Sequence, residues 1–288
     1  KLYWRATIAT GFTASPGFTN ETSPLVQGTI RPKYKMYIPL YSEGEQIYIY
    51  RCKFKKFAKL TVALPLAGFT ICVLLSILKD FESANYTHCN VVNVLPSVSA
   101  AIGSYYPQNI IWKACIAIHS PARFVIAILY YQHNSSVIAR RLSFWVLFIF
   151  LLNCLEISCL FGLSFWDSSE NYPVHKTCFI TFVFSSQIYM LISCILLKWF
   201  KLLKPTEDEK FSIGLKWFLF WINFLGSLSA AYFFARHNSH CEPMVYSLFA
   251  ASEYVVILTN MAFHMMSCFD FGERDLFIRT TGIALAKL

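Results

Sequence analysis

The sequence predicts an all-α fold: a membrane-embedded bundle of six transmembrane helices with both termini in the cytosol. Three observations predict it. Hydrophobic residues make up 56% of the 288-residue chain and charged residues only 14%, with a mean hydropathy of +0.47. Soluble domains carry roughly a quarter charged residues. Six apolar stretches reach the roughly 20 residues that a helix needs to cross a bilayer, which leaves too little chain for a separate globular domain. The basic residues behind the net charge of +9 cluster beside those stretches, where they set topology and meet anionic headgroups. No nucleic-acid module is present in the pattern, and nucleic acid is not an expected partner.

The chain divides into residues 1–50, a transmembrane domain over 51–271 and a cytosolic tail over 272–288. The first part is polar and rich in Thr, Pro and Gly, without sustained periodicity, and reads as disordered or non-native. It begins with Lys rather than Met, as a fragment or a misplaced gene start would, and lacks the layout of a signal peptide.

The first span runs from about Phe57 to Leu78. Arg51, Lys53, Lys55, Lys56 and Lys59 precede it and place the N-terminus in the cytosol. The segment Lys79 to Ile111 is then lumenal, part of it lying against the membrane. The second span, about Ile110 to Tyr131, holds His119, Pro121 and Arg123, and exits at the cytosolic Arg140 and Arg141. The third, about Leu142 to Phe165, holds Asn153 and Glu156 and exits into the acidic Trp166–Glu170. The fourth, about Lys176 to Leu197, exits beside Lys198, Lys201, Lys204 and Lys210. The fifth covers about Leu215 to Ala235 and the sixth about Pro243 to Met266. Arg274 and Arg279 return the tail to the cytosol.

Of the ten cysteines, this topology leaves only Cys89 and Cys241 in lumenal loops. In an oxidising compartment they would pair as a disulfide. The competing reading joins them with His88 and His240 as zinc ligands. Ligands adjacent in sequence match the usual spacing poorly, so the disulfide is preferred and no metal site is expected.

Polar groups inside the spans are costly and need partners. At ~1.5 Å of rise per residue, His119 lies about 12 Å below the lumenal end of its span, Glu156 about 14 Å, Glu253 about 15 Å and Arg123 about 18 Å. His119 and Arg123, four residues apart, share a helix face. The group is either a buried charge cluster that fixes helix register or the lining of a lumen-facing cavity. In the second case His119, with Glu156 or Glu253, performs acid–base catalysis and Arg123 binds substrate. Both readings put Glu253 near His119 and away from lipid. Arg236, His237 and Asn238 sit at the lumenal boundary within reach of a lipid phosphate. His237 and Glu242 repeat a His-x4-acid spacing found in some glycerolipid acyltransferases, though common by chance. Asn260 and His264 read as helix packing. No nucleophile elbow, zincin motif, Walker loop or dinucleotide fingerprint occurs.

Four segments carry a resemblance: Thr87–Gly103 (Thr-His-Cys-Asn-Val-Val-Asn-Val-Leu-Pro-Ser-Val-Ser-Ala-Ala-Ile-Gly), Ala117–Phe124, Arg236–Glu242 and Glu253–His264. In this order they resemble the FRAG/DRAM/Sfk membrane family, in its branch of post-GPI-attachment factors, from about Lys53 to Leu276. The resemblance implies a multi-pass Golgi membrane protein, with the endoplasmic reticulum as a second compartment. It implies fatty-acid remodelling of GPI anchors, at the step where lyso-GPI regains a saturated chain. The implied partners are the lipid moiety of GPI-anchored proteins, membrane lipids and other remodelling proteins. It calls for no resident cofactor, leaves the acyl donor open and supplies no catalytic residue. Two classes stay open: a lyso-GPI acyltransferase, and a non-enzymatic lipid-binding or scaffold protein that supports a separate enzyme.

Overall fold

The computed structural model describes residues 48–103, 105–279 and 282–286. Expectations for residues 1–47 lie outside that range. All six spans form helices long and apolar enough to cross a membrane. They are α1 (Phe54–Lys79), α4 (Gln108–Val137), α5 (Ser143–Phe165), α6 (Tyr172–Trp199), α7 (Glu207–His240) and α8 (Val245–Met265). Two short helices, α2 (Phe81–Ala84) and α3 (Val98–Ile102), lie between α1 and α4, and α9 (Ser267–Asp270) continues α8.

Helix ends follow local chemistry. Asn171 caps α6, its side chain accepting from the Val174 N–H. Thr206 and Glu209 form a reciprocal capping box at the start of α7, satisfying donors that have no partner within the helix. That box starts α7 two turns before the apolar run, so this helix extends beyond the expected span.

The neighbours along the chain, α4 with α5, α5 with α6 and α7 with α8, pack side by side, and α1 lies against α4 and α8. Helix association in lipid depends on close backbone approach, which small residues allow. A Cβ built on Gly162 of α5 would stand 2.9 Å from Cys178 Sγ of α6, and one on Gly68 of α1 would stand 3.1 Å from Cys115 Sγ of α4. Large apolar side chains such as Leu74, Phe144, Trp221 and Leu225 are exposed. So much apolar surface is expected of a bundle whose exterior faces acyl chains.

One end of the bundle carries a sheet absent from the sequence reading. Strand β1 (Tyr48–Lys53) pairs antiparallel with β2 (Asp275–Arg279), which pairs antiparallel with β3 (Gly282–Ala286). Arg51 stands opposite Phe277 and Lys53 opposite Asp275. The residues expected to leave the bundle as separate leader and tail therefore meet each other. Arg51 also donates to Asp275 at 2.9 Å. Beneath the sheet Phe54, Phe271, Cys268 and Leu276 form an apolar cluster with Ile126 and Tyr130 of α4. Lys216 of α7 pairs with Asp270, which also accepts from Ser212 at 2.6 Å and from Tyr130.

The opposite end carries a disulfide between Cys89 and Cys241, with Cα atoms 5.2 Å apart. Its sulfurs are bonded to each other and so do not serve as the thiolate ligands of the zinc alternative. From Val92 to Val98 the first loop is strapped along α8. Met244 N–H donates to Val92 O, Ser247 Oγ accepts from Val94 N–H, and Tyr254 O–H donates to Pro96 O. The strap delivers α3 into the bundle against α1, α4 and α8.

Candidate functional site

Three groups of ionisable and polar side chains among the described residues bear on function, and the first is a sealed central layer. Arg123 of α4 donates to Asn153 Oδ1 of α5 at 3.2 Å and lies 3.5 Å from Glu156 Oε1. His264 of α8 puts Nε2 2.8 Å from that carboxylate oxygen and 2.9 Å from the Arg123 guanidinium. This nitrogen faces an acceptor and a donor together, so it satisfies one of them at a time. Asn260 donates to Glu156 Oε1 at 3.1 Å and to Ser186 Oγ of α6 at 2.7 Å. Within this layer the glutamate that balances Arg123 is Glu156. Asn260 and His264, expected only to pack, are partners of that pair.

Two expected members are directed elsewhere. The His119 Nδ1 lies 2.7 Å from the carbonyl oxygen of Thr61 in α1. Glu253 is buried, as expected, but its carboxylate accepts from the Val98 N–H at the start of α3 at 3.1 Å. No hydrogen bond or ion pair joins Glu253 to His119 among the described residues. The physical reason is the docked loop: α3 brings an orphan backbone donor to the depth of Glu253, which depth counting along the spans could not include. Arg123 and Glu156 are 4% and 1% exposed, so the layer is closed to solvent and to a bulky substrate.

The second place is the rim at the disulfide end. Arg236 makes a two-pronged ion pair with Glu242, at 2.6 and 2.9 Å, and donates to Tyr232 Oη at 2.7 Å. The Arg236 hydrogen bonds hold the Glu242 carboxyl below its ordinary range. Asn238 is exposed. His237 is buried, its ring 5.0 Å from that of Tyr246 and 5.5 Å from that of His88. The suggested pairing of His237 with Glu242 does not form, because Glu242 is taken by Arg236 and His237 faces inward against rings.

The third place was missed by sequence reasoning. A cleft of about 30 Å³ opens at the disulfide end between α3, the start of α4, the end of α5 and the start of α6, lined in part by Ser99, Asn109, Lys113, Asp167 and His175. A water needs about 10–15 Å³ of such space, so the cleft has room for a water or two and not for an acyl chain. The half-buried Ser99 side chain lies 2.9 Å from Nε2 of His175, and Nδ1 of His175 lies 3.0 Å from the carbonyl oxygens of Leu163 and of Trp166. Two acceptors at Nδ1 assign the ring proton there, which leaves Nε2 as the acceptor for the Ser99 O–H. Asp167 lies 3.7 Å from Lys113. Burial works against the Asp167 charge, but hydrogen bonds from Ser169 and the Glu170 N–H prevail, helped by Lys113, and hold the carboxyl below its ordinary range. Ser99 and His175 are 76 positions apart. The available signal was a capped small-residue segment beside a membrane boundary and a His at the matching end of another span.

Comparisons with known proteins agree with this architecture. Residues 53–273 match the model of the Frag1/DRAM/Sfk1/Cwh43P N-terminal domain. Post-GPI attachment to proteins factor 2 of Drosophila melanogaster is 42% identical over 223 residues, which cover 77% of this chain and 88% of the relative. Acyltransferase PGAP2 of Xenopus tropicalis is 39% identical over 247 residues, 85% of this chain and 98% of the relative. Post-GPI attachment to proteins factor 2 of Caenorhabditis elegans is 36% identical over 239 residues, 79% and 89% of the two chains. No solved structure matches. With the family match extending from the sheet end of α1 to the turn after α9, the chain belongs to the Frag1/DRAM/Sfk1 family of multi-pass membrane proteins.

Proposed function

We propose that this protein acts in GPI-anchor lipid remodelling in the secretory pathway, at the step that returns a fatty acid to lyso-GPI. The observation that carries the reading is the match to the frog acyltransferase, which covers 98% of that relative and 85% of this chain. The disulfide end faces the lumen, since disulfides persist in oxidising compartments. The sheet end, with Lys55, Lys56 and Lys59 beside it, faces the cytosol with both termini. The compartment is the Golgi, with the endoplasmic reticulum second.

In this reading the GPI headgroup meets the disulfide rim, where Arg236 exchanges Glu242 for a phosphate and Asn238 adds a hydrogen bond. His237 supports that rim from beneath. Arg123, His119, Glu156 and Glu253 act on substrate only if the bundle opens between α4, α5 and α8. Closed, they hold those helices and α3 in register. The lipid moiety of GPI-anchored proteins and surrounding membrane lipids are the partners, together with other remodelling proteins.

A second reading, a non-enzymatic GPI-lipid-binding or scaffold protein, is favoured by the sealed central layer. The test is the lipid composition of a GPI-anchored reporter in cells without this protein. Accumulated lyso-GPI that is restored to the two-chain form by the wild-type gene is expected. An unchanged anchor lipid would contradict the proposal.

A further inference from the structure

The geometry points to Ser99 and His175 as a nucleophile and base that carry an acyl group as a covalent Ser99 ester, in the cleft at the disulfide end. This deepens the remodelling reading and rests on it for the identity of the acceptor. The two side chains have the polarity that a nucleophilic serine needs. His175 is oriented from behind by two carbonyl oxygens that fix its proton on Nδ1, and Nε2 is presented to the serine hydroxyl at 2.9 Å. A third group that orients the base completes the arrangement of acyl-transfer sites on unrelated folds. Here backbone carbonyls at the end of α5 stand where other sites use a carboxylate.

The surroundings suit the same chemistry. Ser99 is half-buried and reachable, whereas His175 is buried behind it. Lys113 lines the same cleft, 3.7 Å from Asp167, and on turning from that carboxylate it supplies positive charge for an oxyanion. The cleft is too small for an acyl chain, so the ester group reacts at its mouth while the chains remain in the bilayer. Its position at the membrane boundary is where the free hydroxyl of a lyso-lipid resides.

The steps balance without a further reactant. Ser99 Oγ attacks the carbonyl carbon of an acyl ester or thioester, and its proton passes to His175 Nε2. The bond from that carbon to the donor oxygen or sulfur breaks, and the leaving group takes the proton from Nε2. The lyso-lipid hydroxyl then attacks the Ser99 ester, giving its proton to Nε2. As the new ester forms, Ser99 Oγ leaves and recovers that proton. An acyl group has moved from donor to acceptor and a hydrogen has moved the other way.

The test uses the purified full chain in vesicles. A fluorophosphonate probe is reacted with the wild-type protein and the adduct mapped by mass spectrometry. An adduct on Ser99, lowered at least tenfold in His175→Ala, is expected. Folded wild-type protein that stays unlabelled at Ser99 under saturating probe overturns the proposal, and this readout does not depend on a variant folding. In a second arm the vesicles receive lyso-GPI with labelled acyl chains on either phosphatidylcholine or coenzyme A, which separates the two donor sources. Loss of transfer by about 100-fold or more in Ser99→Ala is expected. Undiminished transfer by Ser99→Ala with an unchanged melting temperature overturns the dyad and leaves the remodelling reading intact. Labelling at Ser99 without transfer to lyso-GPI from either donor supports the dyad and counts against the remodelling reading.

Discussion

The Arg123–Glu156 pair shows what a buried charge requires of its neighbours. Taking either ion out of water costs several kcal/mol, offset here by Asn153, Asn260 and His264 as well as by the pair itself. Removing one partner leaves the other uncompensated. Glu156→Leu is expected to lower stability by about 3–5 kcal/mol, and the double variant Arg123→Met with Glu156→Leu by clearly less. Detergent-denaturation midpoints of the three proteins check this, and equal losses in the single and double variants would refute it. At the cleft, Asp167 has its folded value held below the ordinary aspartate value of about 3.9. A depressed acid stabilises the fold fully above its unfolded value, and the contribution is lost as pH falls through the folded value. The stability gap between wild type and Asp167→Asn should therefore be largest at neutral pH and shrink below about pH 4; a gap that grows on acidification would be contrary to this. Arg123 and Glu156 were legible as members of one buried layer from their matched depths, but which glutamate balances the arginine was not. Glu253 was legible as buried, but its partner was not, since a backbone N–H leaves no mark in residue type.

Among the elements, α3 has the largest consequence for the site. Five residues long, it cannot be stable alone, and it is held by its cap and its docking. The Ser97 side chain accepts from the Ala100 N–H, and Glu253 accepts from the Val98 N–H. Glu253→Ala is expected to cost about 1.5–3 kcal/mol of local stability, read as faster hydrogen exchange over residues 98–102. Glu253→Gln, which keeps an acceptor oxygen, should recover most of the protection, and equal exchange in both variants would count against the docking role. At the α5–α6 contact, Gly162→Leu should destabilise by about 1–3 kcal/mol through overpacking against Cys178. Gly162→Ala should do less, because only the Cys178 sulfur has to turn. Thermal midpoints decide this. The six spans were legible because crossing a bilayer demands length and apolarity together. The small helix was not, because its stability comes from tertiary partners spread over α1, α4 and α8.

At the scale of the whole molecule, two ties close the bundle. The sheet joins β1 to β2 at one end, and the disulfide joins positions 152 residues apart at the other. A cross-link over so long a loop restrains the unfolded chain, so Cys241→Ser should lower stability by about 2–4 kcal/mol. The loss should match that of reduced wild-type protein, measured by thermal unfolding. The disulfide was legible because topology left two cysteines outside the spans on one side. The sheet was not: Tyr48–Lys53 was absorbed into a topology signal by its basic residues, and its partner strand lies over 200 positions away. The cleft inherits this limit, since Ser99 and His175 become neighbours only once α3 is docked. On the proposed function, this bundle itself transfers an acyl chain to lyso-GPI at its disulfide end. The most direct test of that transfer is purified wild-type protein in vesicles with lyso-GPI and a labelled acyl donor. Repeated turnover to two-chain GPI is expected, and stoichiometric lyso-GPI binding without turnover would rule out transfer by this chain.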